Sequence, residues 1–72
     1  MIQVGSFVDE ENARELKGRL GKKYGKAFIS ATSLSGQNYY RVRFRADEPS
    51  ETERLAARLF ADGFPILICK AD

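Results

Sequence analysis

The sequence predicts an α+β fold: a ferredoxin-like (RNP-like) sandwich of order β-α-β-β-α-β, with both helices on one face of a four-stranded antiparallel sheet. Three observations carry that prediction. Met1–Phe7 and Tyr39–Phe44 alternate apolar and polar side chains, the period-two pattern of half-buried strands. Two later stretches carry apolar residues at helical spacing. Gly25, Gly36 and Gly63 stand where those elements should stop or turn. Two split β-α-β units of this kind make the sandwich, with strands 1 and 3 as its central neighbours.

Strand 1 is expected over Ile2–Phe7, with Ile2 and Val4 on one face and Gln3 and Gly5 on the other. Asp9 is placed to cap helix 1, and Glu10 and Glu11 suit the positive end of its dipole. Ala13, Leu16, Leu20 and Tyr24 form one apolar stripe, and Gly25 stops the helix. Lys17, Arg19, Lys22 and Lys23 read as a solvated face with dipole-matched charges, in preference to a binding patch. Ala27–Ser33 is rich in β-formers but alternates ambiguously, and Leu34–Asn38 reads as a hairpin turn around Gly36.

Strand 3, Tyr39–Phe44, sets Tyr40, Val42 and Phe44 against Tyr39, Arg41 and Arg43. Ser50-Glu51-Thr52-Glu53 has the form of a capping box and is expected to start helix 2. Leu55, Ala56, Leu59 and Phe60 supply its buried stripe, and Gly63 ends it. Pro65–Lys70 is expected to be strand 4, with proline tolerated at its first position.

The 72 residues suffice for a single small domain spanning 1–72. A hydrophobic content of 43% with 31% charged residues is that of an ordinary globular chain, and a net charge of +2 makes no demand for nucleic acid. The absence of histidine and the presence of one cysteine argue against a transition-metal site and an activated nucleophile, and no cofactor is expected. Cys69, inside an apolar run, is expected to be a small buried hydrophobe. Glu48, Glu51, Glu53 and Asp62 lie in helix-start or surface contexts, with no base or nucleophile to pair with, so no catalysis is expected. No stretch approaches the about 20 apolar residues of a membrane span, and no signal peptide is visible.

The helices are expected to cover Ile2, Val4, Val42 and Phe44, leaving the opposite sheet face open as a binding surface. There an aromatic ring and arginine forks suit a polar ligand bearing some negative charge. The bland alternatives are plain: Gln3 as an ordinary strand residue, Tyr39 as a cross-strand packing group, Arg41 as a solubilising charge, and Ser6 as a local backbone partner. Arg43 and Arg45 read as solvated. Tyr24, Phe28, Tyr40, Phe44, Phe60 and Phe64 read as core, while Ile66 and Ile68 are expected on the open face.

Ile2-Gln3-Val4-Gly5-Ser6-Phe7, then Asn12-Ala13, Leu16 and Leu20, then Tyr39-Tyr40-Arg41-Val42, resemble the SPOR (sporulation-related) domain. The late alanine-rich helix, Gly63 and the apolar last strand extend the likeness over nearly the whole chain. The resemblance implies a non-catalytic peptidoglycan-binding module that recognises glycan strands stripped of stem peptides. It would target a larger parent protein of the cell envelope, periplasmic and enriched at the division septum. The parent could resemble a septal division protein, an amidase or a rare lipoprotein A-like transglycosylase. Carried over by position, the family's glycan-binding residues are Gln3, Ser6, Tyr39, Arg41 and Ile68. Arg45-Ala46 stands where the family often has Gly-Pro, which puts contacts from that loop in doubt.

Two rival readings share the fold. An RNA-recognition module would stack bases on aromatics of strands 1 and 3, but Gln3 holds the middle position of strand 1 and the glycine-containing octamer is absent. A protein-interaction module remains open, because fold alone does not set function. The expected partner is therefore a glycan strand, with no nucleic acid and no membrane contact by this segment. The sequence leaves the oligomeric state open.

Overall fold

The computed structural model describes residues 1–69. Elements follow the expected order: β1 (Ile2–Phe7), α1 (Glu10–Tyr24), β2 (Ala27–Leu34), β3 (Gln37–Phe44), α2 (Pro49–Ala61) and β4 (Leu67–Ile68). The antiparallel sheet has the order β2-β3-β1-β4, so β1 and β3 are the central pair. Both helices lie on one face. Ile2, Val4, Val42 and Phe44 from the sheet meet Ala13, Leu16 and Leu20 from α1 and Ala56 and Leu59 from α2 in a single core.

α1 begins as its sequence predicts. The Asp9 carboxylate accepts the Glu11 amide at 2.9 Å, and Gly25 ends the helix at φ 101°. α2 begins differently. Ser50 and Glu53 form no capping box; the helix starts at Pro49, with Glu48 in the capping position and no side-chain cap. Proline suits the first helical position, where its missing N–H has no helical partner to lose, so the start shifts ahead of the serine. Thr52 ties the turn instead, its hydroxyl donating to the Glu48 carbonyl at 3.1 Å. The far end is a Schellman closure: the Phe64 amide donates to Leu59 O and the Gly63 amide to Phe60 O, both at 3.0 Å, with Gly63 at φ 91°.

Phe60 departs from the expected stripe. It is 73% exposed, while Ala56 and Leu59 carry the buried face of α2. The expected turn over Leu34–Asn38 tightens to Ser35-Gly36, because Leu34 already pairs with Gln37. Both turn residues have positive φ, 52° and 80°, as a twist-matched two-residue hairpin loop requires. β4 is shorter than Pro65–Lys70, and Lys70 lies outside the described residues. Cys69 is half-buried, and its amide donates to Met1 O at 2.8 Å, continuing the ladder past β4.

Candidate functional site on the open sheet face

The register between β1 and β3 decides which side chains share the uncovered face. Ile2 pairs with Phe44 and Gln3 with Arg43, but then Gly5 pairs with Val42, so a bulge falls at Val4. The extra residue switches the alternation. Val4 stays in the core, Gly5 turns toward the helices, and Ser6 opposite Arg41 returns to the open face. Gly5, expected beside Gln3 on the open face, is therefore on the helical side instead. A Cβ there would lie 2.9 Å from the Phe7 ring and 3.2 Å from Leu16 Cδ2, so its absence serves the packing of α1 on β1.

Three cross-strand rows result. Leu67, Gln3, Arg43 and Phe28 span the sheet from β4 to β2; Ser6, Arg41 and Ser30 form the next row; Tyr39 and Thr32 form the third. Four of the five sequence-predicted site residues, Gln3, Ser6, Tyr39 and Arg41, therefore lie together on this face. Ile68 does not. It pairs with Ile2, a core residue, and so points to the helical side, where it lines a hollow with Pro49 and Thr52. Ile66 likewise packs against the core. The open-face position of β4 is Leu67, 57% exposed beside Gln3. Three consecutive apolar residues, Ile66-Leu67-Ile68, carry no parity, so only pairing with β1 could reveal which one faces out.

Arg43 also departs from expectation. Its side chain is not solvated: the residue is only 8% exposed, in the middle of the first row. Nε donates to Gln3 Oε1 at 3.3 Å, and Nη1 lies 4.0 Å from Met1 Sδ. No carboxylate pairs with it among the described residues. Because a guanidinium has donors only, the Gln3 atom facing it must be the oxygen, and the amide N–H2 is left for whatever lies above the sheet. Gln3 therefore offers a donor. Arg41, half-buried, makes no side-chain hydrogen bond or ion pair among the described residues, so its donors are also available.

Phe28, expected in the core, sits on the open face at the end of the first row. The Arg45 guanidinium carbon lies 5.7 Å from its ring centroid, a cation–π contact. The face thus combines arginines, neutral hydrogen-bonding groups and apolar ends at Leu67 and Phe28. It can hold an elongated ligand carrying sugar-like apolar faces, acceptor oxygens and spaced negative charge. Among the described residues, no cluster of three metal-ligating side chains exists, and no helix is long and apolar enough to cross a membrane.

A sandwich with one bare, arginine-bearing sheet face defines a binding module. The SPOR domain model matches residues 1–68, and the chain belongs to that family. SPOR domains are non-catalytic modules that bind peptidoglycan, which implies a place in the cell envelope. The crystal structure of the RlpA SPOR domain from Pseudomonas aeruginosa is similar at a TM-score of 0.77 and 23% identity, covering 94% of this chain and 96% of that one. At that identity the likeness speaks to the fold. No curated protein sequence matches the chain.

Proposed function

We propose that this chain is a single module, 1–72, that binds peptidoglycan glycan strands lacking stem peptides, through the open face of its sheet. The observation carrying this reading is the row geometry of β1 and β3: Gln3, Ser6 and Arg41 share one face with Tyr39, and Gln3, its oxygen taken by Arg43, keeps its amide donor uncommitted. In a stripped strand each muramic lactyl group ends in a free carboxylate. Arg41 pairs with that carboxylate by charge-assisted hydrogen bonds, and the Gln3 amide donates to an acetamido or carboxylate oxygen. Tyr39 lies against a sugar's apolar face, and Leu67, in place of Ile68, adds apolar contact at the other end. A stem peptide converts the carboxylate to an amide and adds bulk, so it removes the charge pair and obstructs the face. The role for the parent protein is delivery to sites where such strands arise, in the periplasm and at the division septum.

Titration of a short peptide-free glycan oligomer into the isotopically labelled domain tests this directly. Amide shifts are expected on β1 and β3 around Gln3, Ser6, Tyr39 and Arg41. Losing a hydrogen bond to a charged group costs about 1.5–3 kcal/mol, so Arg41→Ala should weaken binding by about ten- to hundredfold. Its thermal melt should stay close to that of the parent. Shifts confined to the helical face would overturn the site.

A further inference from the structure

The open face is not the only unpartnered surface. An open groove of about 1170 Å³ runs between α1 and the outer edge of β2. We propose that it docks an extended acidic peptide, which adds to β2 as a further strand of the sheet. The groove meets the open face only at Phe28 and Arg45, the β2 end of the first row, and lies away from Gln3, Ser6, Arg41 and Tyr39; the proposal goes beyond the glycan reading.

Four observations converge. First, β2 is an eight-residue edge strand that pairs only with β3 among the described residues. It contains no proline, and its register with β3 is unbroken, so nothing in the strand itself blunts the edge. Second, Lys17, Lys22, Lys26 and Arg45 line the groove, and none has an ion-pair partner among the described residues. Among the described residues no carboxylate lines it, and of the lining cations Arg14 alone is paired, with Glu10 at 3.1 Å, although the chain's ten acidic residues nearly balance its twelve basic ones. These cations repel a second copy of the same edge and attract an acidic strand.

Third, the groove wall holds two glycines inside α1. Gly18 and Gly21 have nothing within 4 Å of where a Cβ would stand, and neither has the positive φ that would require glycine. Glycine within a helix is disfavoured relative to alanine. Among the described residues nothing packs against these two, and together they keep the wall low where a second backbone would pass. Fourth, the strand edge that borders the groove is apolar, with Ala27 and Ile29 on its helical side and Phe28 on its open side. An edge of this kind beside a cationic rim suits a segment alternating apolar and acidic side chains, with main-chain hydrogen bonds to β2 supplying register. A phosphate-bearing polymer satisfies the charge but neither the apolar border nor the free strand edge.

The test uses a decapeptide alternating glutamate and valine, titrated into the labelled domain. Amide shifts are expected along β2 and on the Lys17–Lys22 side of α1, with affinity falling as salt rises. The double substitution Lys17→Glu/Lys22→Glu should weaken binding at least tenfold. Gly21→Gln, which fills the groove while favouring the helix, should also abolish binding without lowering the melting temperature. The same peptide N-methylated at alternate residues, with its charge intact, should not bind. Absence of shifts overturns the proposal. So does equal affinity for the N-methylated peptide, or for inorganic polyphosphate, since either would make the groove a general anion surface.

Discussion

Arg43 and Gln3 form the pair on which the open face turns. A buried guanidinium with neutral acceptors orients the amide beside it, and that orientation decides which kind of ligand atom is welcome. Gln3→Glu separates the two roles. A carboxylate keeps, and strengthens, the bond to Arg43, so the melting temperature should not fall; but the outward donor becomes a charged acceptor, and affinity for a carboxylate-bearing glycan should drop by about tenfold or more. Gln3→Ala removes the acceptor and should cost about 1–3 kcal/mol in urea titrations. Gly5 makes the converse case. A Cβ there would meet the Phe7 ring at 2.9 Å. Gly5→Ala should therefore destabilise the fold by about 1–3 kcal/mol, while glycan binding by the folded protein is unchanged. A lowered affinity at undiminished stability would return Gly5 to the ligand side.

Among the elements, β1, α1 and β3 were legible because each carries a pattern with one solution. Period-two alternation, Asp9 before an acidic turn, and Gly25 after the last apolar position all point the same way. What stayed hidden depended on pairing between strands. The bulge at Val4 has one local hint, the glycine inside the strand at position 5, but that glycine does not tell which residue is extra, and the bulge alone reverses the facing of Gly5. The faces of Ile66–Ile68 and of Phe28 follow from register with β1 and β3, which apolar runs do not encode. At the start of α2 two valid signals competed, and Pro49 prevailed over the Ser50 capping box. The β2–β3 turn offers a test at this scale. Ser35 holds positive φ, which serine tolerates poorly and asparagine better. Ser35→Asn should raise stability by on the order of 0.5 kcal/mol, visible as a higher urea midpoint at unchanged slope.

Across the whole molecule, the two helices are joined at their C-terminal ends by a polar clasp. The Tyr24 hydroxyl donates to the Asp62 carboxylate, and Lys23 Nζ approaches the same oxygen at 3.1 Å. The Tyr24 ring packs edge-on against Phe44 and Phe64, each with centroids 6.2 Å away, so the clasp is seated on the core. The hydrogen bond from Tyr24, then that from Lys23, holds the Asp62 carboxyl below its ordinary value of 3.8. A carboxyl lowered in the folded state adds stability above its unfolded value, and that stability is lost as pH falls through the folded one. The clasp should therefore contribute in full well above pH 3.8 and fade below it. Asp62→Asn should flatten that part of the acid limb of the urea midpoint against pH, and an identical limb in the variant would remove the clasp from the account.

On the proposed function, the bare sheet face reads glycan from which the stem peptides have gone. A pull-down of the domain on purified sacculi tests it most directly, comparing untreated sacculi with sacculi stripped by an amidase. Marked enrichment on stripped sacculi is the predicted result, lost with Arg41→Ala and Tyr39→Ala. Equal, negligible retention on both preparations would contradict the account and assign this face to a different partner.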